Sequence, residues 1–208
     1  MESPGLQDRF SRQTILPGVG AEGQAKWESA SVLLAGEGPA LDAAKTALNR
    51  TGLTRITILD PSNHPLPISH SMVITVTGDS EWRRRLSRHC RSRSQAALFA
   101  WHCGSGFAIF LTGPDKGCPC LECFEVSNPK AFSGSAMKIT KNVEFPADRM
   151  MGAMAATEAL QWILKGESAL EGKVWMTSFD DGLSLRHEVH PSSKCPAALA
   201  EDGTAATP

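Results

Sequence analysis

Apolar and polar positions fall into a few clear blocks along the chain. Val32, Leu33, Leu34 and Ala35 make a short apolar run that ends at Gly36, the pattern of a buried strand. From Pro39 the spacing turns helical: Leu41, Ala44 and Leu48 share one face, proline suits the first turn, and Gly52 follows the last. Residues 54–60, TRITILD, return to a β-branched run, so 31–60 read as a βαβ unit with parallel strands. MVITVTGDS (72–80) reads as a third strand ending in small polar residues, and FAIFLTG (107–113) as another. A helix is expected over 146–165, with Pro146 in its first turn, Met150, Met154, Thr157, Leu160 and Leu164 near helical spacing, and Gly166 as terminator. The methionines read as core filling. KVWMTSF and SLRHEVH flank DDGL as a β-hairpin.

The connections are equally marked. DPSNHPLPISH (60–70) is a Pro-rich loop, and residues 127–142 are Gly/Ser/Lys-rich, which predicts a mobile surface loop. The most apolar stretch, 96–112, is interrupted by His102 and by Gly104-Ser105-Gly106, so it is not a membrane-spanning helix. EWRRRLSRHCRSRS carries six arginines between Arg83 and Arg93 and reads as a solvated helix face, the alternative being a phosphate-binding patch.

Composition narrows the class of protein. In 208 residues, 21 Lys+Arg against 22 Asp+Glu leave a formal charge of -1, which argues against nucleic acid or an anionic membrane as partner. The N-terminus has neither a basic n-region nor an apolar h-region, so a cytoplasmic location is expected. In a reducing compartment the six cysteines are read as thiols or metal ligands. The expected layout is an arm over 1–30, one α/β domain over 31–196, and a disordered tail over 197–208.

The order of several motifs carries a resemblance. Residues 9–36, RFSRQTILPGVGAEGQAKWESASVLLAG, are similar to the opening of ThiF/MoeB/HesA-type enzymes, which adenylate the C-terminal glycine of ubiquitin-like or sulfur-carrier proteins. GLTRITILD, VTGDSEWRRRL, CPCLECF, FPADRMMGAMAATEALQWILKG and HPSSKCP resemble later family segments in the family's order. The resemblance implies a Rossmann-like ThiF/MoeB-type fold with a mostly parallel sheet and a C-terminal hairpin, with ATP at the carboxyl edge and usually a homodimer. It also implies that Arg12 crosses into a partner subunit's nucleotide site, that Gly36, Gly38 and Asp60 contact nucleotide, and that Asp79 is catalytic or metal-contacting. By the residues themselves, Asp60 reads equally as a turn residue and Asp79 as a helix cap.

Two departures alter the expected chemistry. The family's GxGxxG turn keeps Gly36 and Gly38 here, but Pro39 removes an N–H donor, Leu41 stands at the last glycine position, and Glu37 adds negative charge. Between Asp60 and Asp79, moreover, the chain is too short for the βα units that carry the family's arginine, glutamine and lysine contacts to triphosphate, and the nucleotide-binding half is shortened. Loss of such a cationic clamp typically costs about 10³-fold in rate or more. The chain is therefore expected to hold ATP and Mg²⁺ poorly and to be weak or inactive alone.

Cys120 and Cys123 form a C-x-x-C pair and Cys195 supplies a third thiol; Cys118 or His190 are the candidates for a fourth zinc ligand, against a metal-free thiol cluster. The functional expectation is a noncatalytic pseudoenzyme subunit that pairs with itself or a full-length homologue, or binds the carrier protein near residues 127–138. The alternative is an active ATP-dependent adenylyltransferase for such a carrier.

Overall fold

The computed structural model describes residues 10–60, 70–115, 117–128 and 141–197, with the backbone alone for 141–145. Short helix α1 (Ser11–Thr14) and α2 (Gly20–Ser29) precede β1 (Ser31–Gly36), α3 (Gly38–Arg50) and β2 (Arg55–Leu59). β3 (Met72–Val76), α4 (Ser80–Ser92), β4 (Ala97–Cys103) and β5 (Gly106–Thr112) follow. The remaining elements are α5 (Leu121–Ser127), α6 (Lys141–Lys165), β6 (Lys173–Ser178) and β7 (Leu183–Glu188).

All seven strands join one sheet in the order β2-β1-β3-β4-β5-β6-β7. The first four run parallel, and β4–β5, β5–β6 and β6–β7 pair antiparallel, ending in the expected C-terminal hairpin. Each central strand is apolar on both faces because both faces are covered. Val32, Leu34, Ile74 and Ile109 enter one core with α2, α3 and α6. Leu33, Ala35, Val73 and Phe110 enter the other with α4, α5 and the segment around Cys195.

Three expectations change. The stretch 96–112 is not simply interrupted: its first half is β4, which turns at Gly104-Ser105 and returns as β5. Helix α6 begins at Lys141, so Pro146 lies in its second turn, where the missing N–H removes only one bond of the helical ladder. The buried face of α6 is only in part the expected one: Leu160 is buried and Met154 and Leu164 pack against the core, but Met150 and Thr157 do not join them. Met151, Ala155, Ala156, Ala159 and Leu160 are buried, whereas Met150 is 46% exposed and Thr157 faces solvent. Small residues take the inner positions because α6 is squeezed between the sheet and α3, its most extensive helix neighbour. Trp27 completes the layer, donating its indole N–H to the Leu160 carbonyl at 3.0 Å.

The tightest point of that layer is Gly152, where a Cβ would stand 2.0 Å from the Ala40 carbonyl oxygen. Gly152→Ala gains about 1 kcal/mol of intrinsic helix propensity, yet the clash with backbone forces α3 and α6 apart. The expected net effect is a loss of about 1–3 kcal/mol in unfolding free energy by urea titration. An unchanged or raised midpoint would show that this approach is not close.

Candidate functional site

The order of the parallel strands reverses between β1 and β3: β1 leads through α3 to the β2 side, and β3 leads through α4 to the β4 side. Open α/β sheets bind ligands in the crevice that such a reversal leaves at the carboxyl edge. Here its walls are the β1–α3 turn and the β3–α4 turn. Gly36, with φ +138°, pairs with Val76, and a Cβ on it would lie 2.5 Å from the Val76 carbonyl oxygen, so only glycine lets β1 finish against β3. Gly38, with φ +71°, then opens α3; a Cβ there, or on Gly78 opposite, meets nothing within 4 Å. Glu37 is the N-cap residue without a side-chain capping bond, Pro39 lies in the first turn, and Leu41 is half-buried against the α3–α6 core.

Asp79 sits on the facing wall as the N-cap of α4, its Oδ1 accepting from the Glu81 N–H at 2.9 Å and the Trp82 N–H at 3.0 Å. Asp60 follows the last residue of β2 at the same edge and is exposed. Gly36, Gly38, Asp60 and Asp79 thus share one edge of the sheet. Arg12 does not join them. It lies exposed on α1, whose Gln13 donates to the carbonyl of Arg50 at 3.0 Å, at the far end of α3. A helix of 13 residues is about 20 Å long, so Arg12 is placed near the opposite edge of the sheet.

The same carboxyl edge holds a pair with no counterpart in the sequence reading. His102, next to last in β4, sets its Nε2 2.5 Å from Asp148 Oδ1 on α6. Asp148 is one turn before Gly152, so this contact fastens α6 beside the start of α3. No local spacing announces it, since the two residues are 46 apart in sequence.

The arginine run is the solvated face expected of it only in part: Arg85, Arg88 and Arg93 are exposed, whereas Arg83, Arg84 and Arg91 are drawn inward. Arg83 is only 3% exposed; it donates through Nη1 to the Thr77 carbonyl at 2.7 Å, and its guanidinium lies 5.1 Å from the Trp101 ring centroid. Burial pulls its pKa down to about 10, opposed by the charge of Glu125. Arg84 binds Glu125, whose carboxyl is raised chiefly by burial and drawn back by that arginine. Arg88 grips Glu122 with two bonds, of 2.9 and 2.6 Å, and Arg91 donates to the Cys118 carbonyl at 3.2 Å. Helix α4 is therefore laced to α5 and the cysteine loop. The sequence missed this because the acidic partners lie on a separate element.

Behind α5 the sulfurs of Cys120, Cys123 and Cys195 meet. Cys120 Sγ stands 3.7 Å from that of Cys123 and 3.4 Å from that of Cys195; all three residues are buried and their donor atoms lie within 4.8 Å of one another. Cys118 and His190 stand outside this group: the Cys118 sulfur accepts the Gly113 N–H at 3.3 Å, and His190 is exposed. A tetrahedral zinc with Zn–S bonds of about 2.3 Å has sulfur–sulfur edges of about 3.8 Å, so the spacing fits. Hydrogen bonds from the Cys120 and Cys195 thiols, aided by backbone N–H groups, draw Cys123 below the ordinary thiol range, and the same bonding pushes Cys120 above it. Arg88 lies close enough to Cys120 and Cys195 to feel their charge, which suits a site of three thiolates around a divalent ion. Such a site ties the C-terminal segment to α5.

Comparison with known proteins establishes the fold. No protein-family model matches the chain, and no curated protein does. Among solved structures, Escherichia coli MccB in complex with AMPCPP and MccA aligns with a TM-score of 0.71 at 14% identity, over 93% of this chain and 75% of MccB. The heterocyclase TruD aligns at 0.65 and 15% identity, over 94% of this chain and 31% of TruD. A heterocyclase in complex with substrate and cofactor aligns at 0.63 and 16% identity, over 95% and 29% respectively. The chain thus spans less than a third of the heterocyclases and three quarters of MccB, and at these identities the shared property is the fold.

The ion pair behind the cysteines is open to test. Arg88→Ala leaves the buried Glu122 carboxylate without its cation and is expected to lower unfolding free energy by about 2–4 kcal/mol, under the fully buried range because Arg88 is half exposed. Adding Glu122→Gln should restore part of the loss. Losses that simply add in urea titrations would show that the two residues are not coupled.

Proposed function

We propose that this chain is a noncatalytic member of the ThiF/MoeB type, acting as the partner of a catalytic homologue or as a binder of a small carrier protein. The observation that carries the reading is the separation of its parts. The carboxyl-edge crevice has Gly36 and Gly38, but its helix opens with Pro39 and Leu41, and the stretch from Asp60 to Asp79, of which 61–69 lie outside the described residues, is too short for the additional βα units that the resemblance implies. The candidate cation, Arg12, lies about a helix length away, where it suits a neighbouring subunit's site rather than its own. MccB has been solved with ATP and with AMPCPP and MccA, which supports a nucleotide and a small peptide or protein as the ligands relevant to this fold. On this reading the chain forms a homodimer or a heterodimer, and the carrier docks near residues 127–138; 129–138 of that stretch lie outside the described residues.

A second reading, an active adenylyltransferase, is favoured by one fact: Gly36, Gly38, Asp60 and Asp79 all reach the same edge. On it Asp60 holds the ribose and Asp79 contacts Mg²⁺, although Asp79 then shares its carboxylate with the cap of α4.

Carrier-dependent ATP–pyrophosphate exchange separates the two. The purified chain should give no exchange with candidate diglycine-tailed carriers, and a full-length homologue should be faster in its presence. Arg12→Ala should abolish that gain by about 10³-fold if the arm acts on the transition-state charge. Exchange by the chain alone would reverse the conclusion.

A further inference from the structure

Two reverse turns face each other across the thiol cluster. In Cys120–Cys123 the Cys123 N–H donates to the Cys120 carbonyl at 3.0 Å, and in Ser192–Cys195 the Cys195 N–H donates to the Ser192 carbonyl at 3.0 Å. The two turns have the same span and the same closing bond, which sets the first and fourth residues side by side. The first turn presents sulfur at both ends. The second presents Cys195 at its far end and Ser192 at its near end.

Ser192 stands against the cluster, since its backbone N–H donates to the Cys123 sulfur. It is half-buried, with exposed Pro191, Ser193 and Lys194 around it, whereas the three cysteines are closed off. Its hydroxyl accepts the Lys194 N–H at 3.2 Å, a bond local to the turn. A protein hydroxyl is a far weaker donor to zinc than a thiolate, and a closed structural site uses four strong protein ligands.

We propose that Cys120, Cys123 and Cys195 hold a zinc-class divalent ion in an open three-thiolate site whose fourth position lies at Ser192, where water or a small thiol or imidazole is the exchangeable ligand. This rests on the fit of the thiol cluster to a metal and adds which corner is open and to what. Three thiolates give the bound ion a net charge of about -1, and Arg88, whose charge is chiefly taken up by Glu122, lies near enough to Cys120 and Cys195 to add to its balance. An exogenous ligand at the solvent-facing corner leaves that balance unchanged if neutral. The other three corners remain inside the fold.

Cobalt in place of zinc reads the ligand set directly, without any catalytic assay. The full-length chain, reduced and loaded with Co²⁺, should bind one ion. Its thiolate-to-metal charge-transfer absorbance should be that of three sulfurs, and its ligand-field bands should shift when imidazole or a small thiol is added. In Ser192→Cys the charge-transfer absorbance should rise by about a third, from three sulfurs to four, and added imidazole should have no effect. Zinc should also leave the variant to a chelator about tenfold more slowly or slower still. Cys195→Ala should lose the signal in the otherwise unaltered chain and reduce it from four sulfurs to three in Ser192→Cys, with circular dichroism confirming that each protein is folded.

The outcomes divide cleanly. A four-sulfur spectrum in the unaltered chain, or a spectrum that Ser192→Cys leaves as it was, overturns the open corner while the metal stays. Binding by the variant but not by the unaltered chain shows that three thiols do not suffice, which also overturns the proposal. No binding by either removes the metal and the open corner together.

Discussion

The end of β1 meets the end of β3 with no room for a side chain between them. Gly36 lies against the Val76 carbonyl, and this contact holds two parallel strands in register up to the point where their chains diverge. From there α3 leaves over one face of the sheet and α4 over the other. The crevice between Gly38 and Gly78 is what remains between the diverging chains. A side chain at position 36 would push β1 from β3 and shift the start of α3 with it, so the helix layer also depends on this contact. Gly152 fixes the second boundary of that layer by letting α6 lie on the Ala40 backbone, and the His102–Asp148 contact one turn earlier holds α6 at the same edge.

On the other face the cohesion is ionic rather than glycine-based. Arg84 and Arg88 reach from α4 to Glu125 and Glu122 on α5, and Glu122 lies between Cys120 and Cys123. A carboxylate 2% exposed is costly to bury unless its cation and hydrogen bonds come with it, and Arg88 supplies both. The orientation of the C-x-x-C turn is thereby tied to α4, which is itself capped by Asp79 at the crevice. Cys195 brings the segment after β7 to the same point. The crevice and the thiol cluster stand at two ends of a single helix pair.

Local punctuation decided what could be read without coordinates. β1, α3 and β2 were legible because Gly36, Pro39 and Gly52 mark boundaries at which the period changes. β4 was not, because His102 and Gly104 looked like a break when Gly104 is the first central residue of a two-residue turn, a position that favours glycine. The face of α6 was legible at Met154, Leu160 and Leu164 but not in full, because close packing also places alanines and Gly152 inward. The cysteine trio was legible as chemistry, since thiols at this spacing have few other uses. Its surroundings were not: burial of Arg83 needs Trp101 and Thr77, and the grip on Glu122 needs a register between two helices that no single segment encodes. The cap made by Asp79 was one of two readings open for TGDS, and its two hydrogen bonds show how that carboxylate is used in the fold.

The placement of Arg12 bears most directly on the proposed role. An arginine meant for its own nucleotide crevice would have to sit near the amino end of α3, whereas α1 is fastened to the carboxyl end through Gln13 and the packing of Phe10 beneath Gly52. The fastening is firm: Phe10 is buried, and Gln24 bonds the Thr51 carbonyl in the same corner. Arg12 is thus presented outward from a fixed base, with Ile15 and Leu16 exposed beside it. Because the backbone of this ledge is already fixed, capture by another surface costs the entropy of the arginine side chain but little of the backbone's, which is the property an arm acting on a second subunit requires. The same fastening keeps Arg12 about the length of α3 away from the crevice of its own chain. On the proposed reading, the chain offers its arginine to another subunit's site and draws little from its own.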